Sequence, residues 1–253
     1  MTLPPSFSRV PLAHRALHDI ADGRPENSRA AVRAAIAAGY GIEIDVQLSA
    51  DDVAIVFHDY ALDRLAKATG PVRLRGASEL AGIPLIGNDE GIPNLSEILD
   101  LIAGQVPVVI EVKDQDGAMG KNVGPLERAT AQALVGYTGD VAVMSFNPHS
   151  VALMRDLMPS VPRGLTTSGY LYDEWPLPKP ICDRLRDIPD YDDVGACFIS
   201  HDIDDLDRQR VKALKQDGAV ICCWTVRSAG EEAEARKIAD TITFEGYAAQ
   251  HRP

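Results

Sequence analysis

Short β-rich runs alternate with amphipathic helical runs from one end of the chain to the other. A first strand is predicted over residues 10–14. In the helical stretch that follows, Ala31, Val32, Ala35 and Ile36 share one face while Arg29 and Arg33 occupy the other, the spacing of a helix with one buried side. Asn27 stands where its N-cap belongs, and Gly39 where it stops. Residues 41–48 read as a strand, 49–52 as a turn and 53–58 as a second strand. A connection that short cannot carry a parallel return, so 53–58 is predicted to be an antiparallel hairpin extension. From about 59 to 92 the chain is irregular and dotted with Gly and Pro, as expected of an insertion over one face.

Further strands are predicted near 106–113, 141–146, 163–166, 197–201, 220–226 and 241–244. The helices between them fall near 95–103 (capped by Asn94), 126–134, 150–158, 207–216 and 229–239, with a short one after the Pro-rich loop 174–180. Leaving out the hairpin arm, this gives eight strands, each but the last followed by a helix. The expected fold is α/β, a (β/α)₈ TIM barrel forming one domain over 1–253, with a hairpin and loop insertion at about 47–92 after the second strand. An open doubly wound sheet would carry a Gly-rich phosphate fingerprint after its first strand, and neither G-x-G-x-x-G nor a P-loop occurs.

Composition narrows the function. Hydrophobic residues make up 45% of the 253, enough for a real core, and the formal charge of −12 disfavours nucleic acid or an anionic membrane as a general partner. A small anionic substrate remains open, because a few cations can dominate one cleft. Cys182, Cys197, Cys222 and Cys223 match no zinc spacing and read as buried free thiols. With no signal-peptide pattern and no apolar run of the ~20 residues a membrane span needs, the expected location is the cytoplasm.

Three strand segments carry charge where a buried strand should be apolar. One ends in His14-Arg15, the second contains Glu43-Ile44-Asp45, and the third Glu111-Val112-Lys113. Charges two apart share a face, and all three sets fall at strand C-terminal ends, where barrel enzymes place their sites. A single E-x-D is more simply the wet face of an antiparallel sheet. The joint occurrence at successive strand ends favours a site instead. Glu43, Asp45 and Glu111 offer hard oxygen ligands without a thiolate, which suits one divalent cation, Mg²⁺ or Ca²⁺. His14 and His58 are candidate acid and base, and Arg15 and Lys113 candidate phosphate ligands.

The segments His14-Arg15, Pro25-Glu26-Asn27-Ser28, Glu43-Ile44-Asp45-Val46-Gln47-Leu48, Val56-Phe57-His58-Asp59 and Leu62-Asp63-Arg64 resemble the glycerophosphodiester phosphodiesterase family. Glu111-Val112-Lys113, Ser145-Phe146 and Trp224-Thr225-Val226 continue the match in order. The resemblance implies a (β/α)₈ barrel with one divalent ion on Glu43, Asp45 and Glu111. It implies His14 and His58 as general base and acid, Arg15 and Lys113 on phosphate, Phe146 and Trp224 lining the pocket, and Glu26 as a nearby acidic residue. The implied reaction is hydrolysis of a glycerophosphodiester to glycerol 3-phosphate and an alcohol, through attack of the glycerol 2-hydroxyl and a cyclic phosphate.

The chain departs from the family pattern at Ala16, where Gly is usual, at Arg227, where Asn commonly follows Trp-Thr-Val, and at Thr243-Phe244-Glu245-Gly246, where T-D-x-P is usual. These changes bear on the substrate side. His18 has no helix or H-E-x-x-H context to make it a ligand, and the acidic run 202–207 lacks the Gly and Glu of a calcium loop. Rival readings are a phospholipase D-like enzyme for lysophospholipids, which would want an apolar rim for which Trp175 is a hint, a Schiff-base aldolase on Lys113, and a non-catalytic phosphate-ligand binder.

Overall fold

The strand Gly41–Leu48 is buried at every residue, which a sheet with one wet face does not allow; both of its faces are packed. The computed structural model describes residues 1–251, so the last two residues of the expected domain span, Arg252 and Pro253, lie outside the described residues. The strands, in chain order, are β1 (Leu12–Ala13), β2 (Gly41–Leu48), β3 (Ala54–Val56), β4 (Val108–Val112), β5 (Val141–Ser145), β6 (Arg163–Thr167), β7 (Phe198–Asp202), β8 (Val220–Val226) and β9 (Thr241–Phe244). Along the sheet they run β1-β9-β8-β7-β6-β5-β4-β2-β3, and β1 also pairs with β2. That last pairing closes eight parallel strands into a barrel, with β3 antiparallel on the outer part of β2 through Val46↔Val56 and Leu48↔Ala54.

Each barrel strand but β9 is followed by a helix: Arg29–Ala38, Leu95–Ile102, Pro125–Leu134, Pro148–Leu157, Lys179–Arg186, Gln209–Gln216 and Ala229–Ala235. Ile42, Ile44, Val46, Val108, Ile110 and Val112 join one apolar cluster with Val32, Ala35, Ile98 and Leu99 of the helices. The alternate strand residues point inward. Near the strand N-termini these are Leu12, Val109, Ala142, Phe198 and Cys222, against which Phe7 packs. A dry apolar layer therefore fills one end of the barrel and leaves the other end to polar side chains. All four cysteines are free and buried. No helix among the described residues is long and apolar enough to cross a membrane.

Several boundaries differ from the pattern-based ones. β1 is only two residues long, because Pro11 has no N–H to give to the ladder and the chain turns into a left-handed conformation at Arg15 and Ala16. Ser28, and not Asn27, caps the first barrel helix, accepting from the Ala31 N–H, while Asn27 sits at φ 59° with its side chain turned into the barrel mouth. The helix expected from 207 starts at Gln209.

The insertion is better ordered than its Gly and Pro content suggests. Ile55, Phe57, Leu62, Val72, Leu80, Leu85 and Ile92 form a core of their own. Its chain ends close where a Cβ on Gly91 would lie 1.7 Å from the Ala81 carbonyl oxygen, and the Gly91 carbonyl accepts from Arg29 Nη1 at 2.8 Å. Gly91→Ala is therefore expected to destabilise the protein by about 1–3 kcal/mol through backbone displacement. A lowered urea midpoint would register this; an unchanged midpoint would mean the segment yields freely.

Candidate active site

The polar end of the barrel opens into a cavity of about 240 Å³ lined by His14, Arg15, Glu43, Asp45, His58, Glu111, Lys113, Phe146, Trp175 and Trp224, among others. Every site residue predicted above except Glu26 is among them. The strands explain the meeting of the carboxylates. Glu43 and Asp45 share the inward face of β2, and the parallel register sets Asp45 directly beside Glu111 of β4. Ligand oxygens of the three lie within 4.8 Å of one another, and all three residues are buried.

Such a cluster needs cations and donors. Lys113 Nζ lies 2.8 Å from Asp45 Oδ1 and 2.7 Å from Glu111 Oε1. The Arg15 N–H donates to Glu43 Oε2 at 2.9 Å, and Asn27 Nδ2 donates to Asp45 Oδ2 at 3.0 Å. Asn27 is thus a support of Asp45, a role its position before a helix concealed. Burial, then Asp45 and Glu111, push the Glu43 carboxyl well above its ordinary pKa. Burial would raise Asp45 as well, but Lys113, His58 and Arg15 overcome it and hold Asp45 low. The same two carboxylates outweigh burial at Lys113 and keep it a firm ammonium.

Three buried hard oxygens fit one Mg²⁺ or Ca²⁺ ion better than a softer metal. Other polar atoms of the lining are unspent. Thr166 Oγ1 and Thr243 Oγ1 are buried with no hydrogen-bond partner, and Arg15 Nε has only a 3.8 Å approach to Asp45 Oδ2.

Each cavity histidine has a carboxylate on its Nδ1. His14 Nδ1 lies 2.5 Å from Glu245 Oε2, and His58 Nδ1 lies 2.7 Å from Asp59 Oδ1. The hairpin delivers His58: the Phe57 N–H donates to the Asp45 carbonyl at 3.0 Å, and Gln47 Nε2 donates to the His58 carbonyl at 2.9 Å. Burial lowers the His14 pKa, opposed by its hydrogen bond to Glu245. Glu26 stands behind this layer. It accepts from Arg15 Nη1 at 2.9 Å and from Arg64 Nη1 and Nη2 at 3.0 and 2.9 Å, while Arg64 also grips Asp59.

Phe146 meets Trp224 edge to face at 5.6 Å and Trp175 at 4.9 Å, so these rings are both packed together and part of the cavity wall. Sequence reasoning missed Glu245 as a site residue, since it lay in a stretch noted only as a departure. It also left Asp59 and Arg64 without a role, although both stand in the quoted motifs. His18 stays outside the cavity lining, with Nε2 3.6 Å from Glu245 Oε2. The acidic run 202–207 is engaged locally: Asp202 accepts from the Asp204 N–H and Asp205 from Arg208.

The family model for the glycerophosphoryl diester phosphodiesterase family matches residues 14–243. The chain belongs to this family. It is accordingly a phosphoric diester hydrolase of the glycerophosphodiester class. The Bacillus subtilis protein YhdW is 27% identical over 226 residues, 86% of each chain. A glycerophosphodiester phosphodiesterase of Caldanaerobacter subterraneus is 30% identical over 161 residues, 60% of this chain and 65% of that one. Among solved structures, a phosphodiesterase of Oleispira antarctica in complex with the product sn-glycerol-3-phosphate superposes with a TM-score of 0.76. It is 21% identical and covers 95% of this chain and 94% of its own, a likeness of fold.

The raised Glu43 pKa gives a signed expectation for cation binding. A proton stays on Glu43 in the metal-free protein up to that pKa, and a bound cation favours the carboxylate. Binding of Mg²⁺ or Ca²⁺ should then release protons below that pKa, and apparent affinity should rise with pH until it levels off. Calorimetric titrations in buffers of different ionisation enthalpy measure the release; heats independent of buffer would contradict it.

Proposed function

We propose that this family member hydrolyses glycerophosphodiesters to sn-glycerol 3-phosphate and an alcohol, with His14 and His58 as the acid–base pair. One divalent cation, Mg²⁺ or Ca²⁺, would be held by Glu43, Asp45 and Glu111. The observation that carries this reading is the gathering, in one cavity, of two carboxylate-backed histidines, three clustered carboxylates and the cations Arg15 and Lys113. The product complex of the Oleispira protein supports a small phosphomonoester product of this kind.

When bound, the cation supplies charge neutralisation at phosphate oxygens. Arg15 offers its guanidinium and Lys113 its ammonium to the same oxygens and to the charge that grows on them. One histidine removes the proton of the glycerol 2-hydroxyl, whose oxygen forms the new bond to phosphorus. The bond from phosphorus to the alcohol oxygen breaks, and the other histidine gives that oxygen its proton. Water then opens the cyclic phosphate with the histidines in exchanged roles. Phe146 and Trp224 wall the pocket beside the reacting groups.

The aldolase reading of Lys113 is not favoured. A Schiff base needs a neutral amine, and Lys113 is held charged between Asp45 and Glu111. We place the whole chain as one catalytic domain in a reducing compartment such as the cytoplasm, a placement that the buried free thiols suit.

His14→Ala and His58→Ala should each lower turnover of glycerophosphocholine by about 10²–10⁴-fold. Cation affinity should stay within about twofold, since neither imidazole belongs to the carboxylate set. Full glycerol 3-phosphate release by either variant would overturn the acid–base assignment.

A further inference from the structure

Arg227, a departure from the family pattern, and Glu245, at the unconstrained third position of the T-D-x-P segment, stand 18 residues apart in sequence and meet in space. Arg227 is the first residue beyond β8 and Glu245 the first beyond β9, strands that lie side by side with Val226 opposite Phe244. The Glu245 N–H donates to the Val226 carbonyl at 3.0 Å. The Glu245 carboxylate then has two hydrogen-bond partners, with His18 Nε2 farther off at 3.6 Å from Oε2. Arg227 Nε donates to Oε1 at 2.9 Å, and Oε2 faces His14 Nδ1 at 2.5 Å. His14 is tied to the same strand end, since its N–H donates to the Phe244 carbonyl at 2.9 Å. Backbone and side chain of both partners are thus registered by one ladder, β1-β9-β8.

We infer that Glu245 is the positioning residue of His14, and that Arg227 acts through Glu245 to hold it in place. The inference rests on the reading of His14 as an acid–base group. A carboxylate on Nδ1 keeps the hydrogen on that nitrogen and leaves Nε2 to exchange a proton with substrate. It also supports the imidazolium when His14 carries the extra proton, against the burial of the ring and the charge of Arg15.

The second histidine of the cavity supplies an independent parallel. His58 Nδ1 faces Asp59 Oδ1 at 2.7 Å, and Arg64 Nε donates to Asp59 Oδ2 at 2.8 Å. Both histidines are therefore built as His–carboxylate–Arg sets, one from residues 58–64 of the insertion and one from three neighbouring strand ends. Among the described residues, Asp45 also acts on His14 from the cavity side, and His18 lies beside it, with ring and carboxylate atoms of His14, His18 and Glu245 within 4.8 Å of one another.

The test is steady-state hydrolysis of glycerophosphocholine across pH by Glu245→Gln, Glu245→Asp, Arg227→Asn and His14→Ala, each checked for an unchanged urea midpoint. Glu245→Gln should lower kcat by about 10- to 100-fold with KM nearly unchanged. One limb of its pH profile should move to lower pH, because the His14 imidazolium has lost its support, while the other limb stays. Glu245→Asp should recover part of the loss. Arg227→Asn should cost less, and should add nothing in the Glu245→Gln background. An active His14→Ala enzyme would sink the acid–base reading itself. An inactive His14→Ala beside a Glu245→Gln enzyme with wild-type kcat and both limbs in place would overturn the positioning role alone.

Discussion

Three carboxylates set side by side at the mouth of a barrel repel one another, and most of the site is arranged around keeping them there. The repulsion follows from the fold. Glu43 and Asp45 cannot leave the inward face of β2 without turning Ile42, Ile44 and Val46 into the barrel, and the register with β4 puts Glu111 at the side of Asp45. Lys113 reaches across two of the carboxylates from the next inward position of the same strand line. Arg15 and Asn27, both in left-handed backbone conformations, bring a main-chain N–H and an amide to the remaining oxygens. These donors offset part of the cost of burial, and the clustered hard oxygens would suit a divalent ion.

The histidines enter this field from outside the carboxylate strands. His58 arrives on a hairpin whose far side has its own apolar core, so its position depends on how well that insertion folds. The bridge Arg64–Glu26–Arg15 ties the insertion to the loop after β1. His14 arrives at the end of β1 and is secured by the last strand of the barrel. The β1–β9 pairing, one of the two that hold β1 in the closed barrel, also brings Glu245 to His14. This coupling explains how two residues at opposite ends of the sequence can act as one group.

The barrel was legible because its signals are local and repeated. Each helix shows its apolar face, and the turn at 49–52 excludes a parallel return whatever surrounds it. The carboxylate set was legible for a related reason, since the two-residue period of a strand fixes which side chains share a face. What escaped the sequence depends on contacts between distant segments. Asn27 reads as a cap because it precedes a helix, yet Ser28 takes that place and Asn27 turns to Asp45. β1 was drawn too long because strand propensity does not register the missing N–H of Pro11. Glu245 carries no local mark at all; only the closure of the barrel sets it against His14. The order of the insertion was hidden because its apolar residues follow neither the helical nor the strand period.

The measurement that bears most directly on the carboxylate cluster as a catalytic cation site is release of glycerol 3-phosphate from glycerophosphocholine by the purified protein, before and after EDTA, and after cation is returned. The account predicts that activity disappears with the chelator and comes back with Mg²⁺ or Ca²⁺. Undiminished turnover in EDTA would contradict it, and would leave the three carboxylates as ion-pair partners of Lys113 and Arg15 alone.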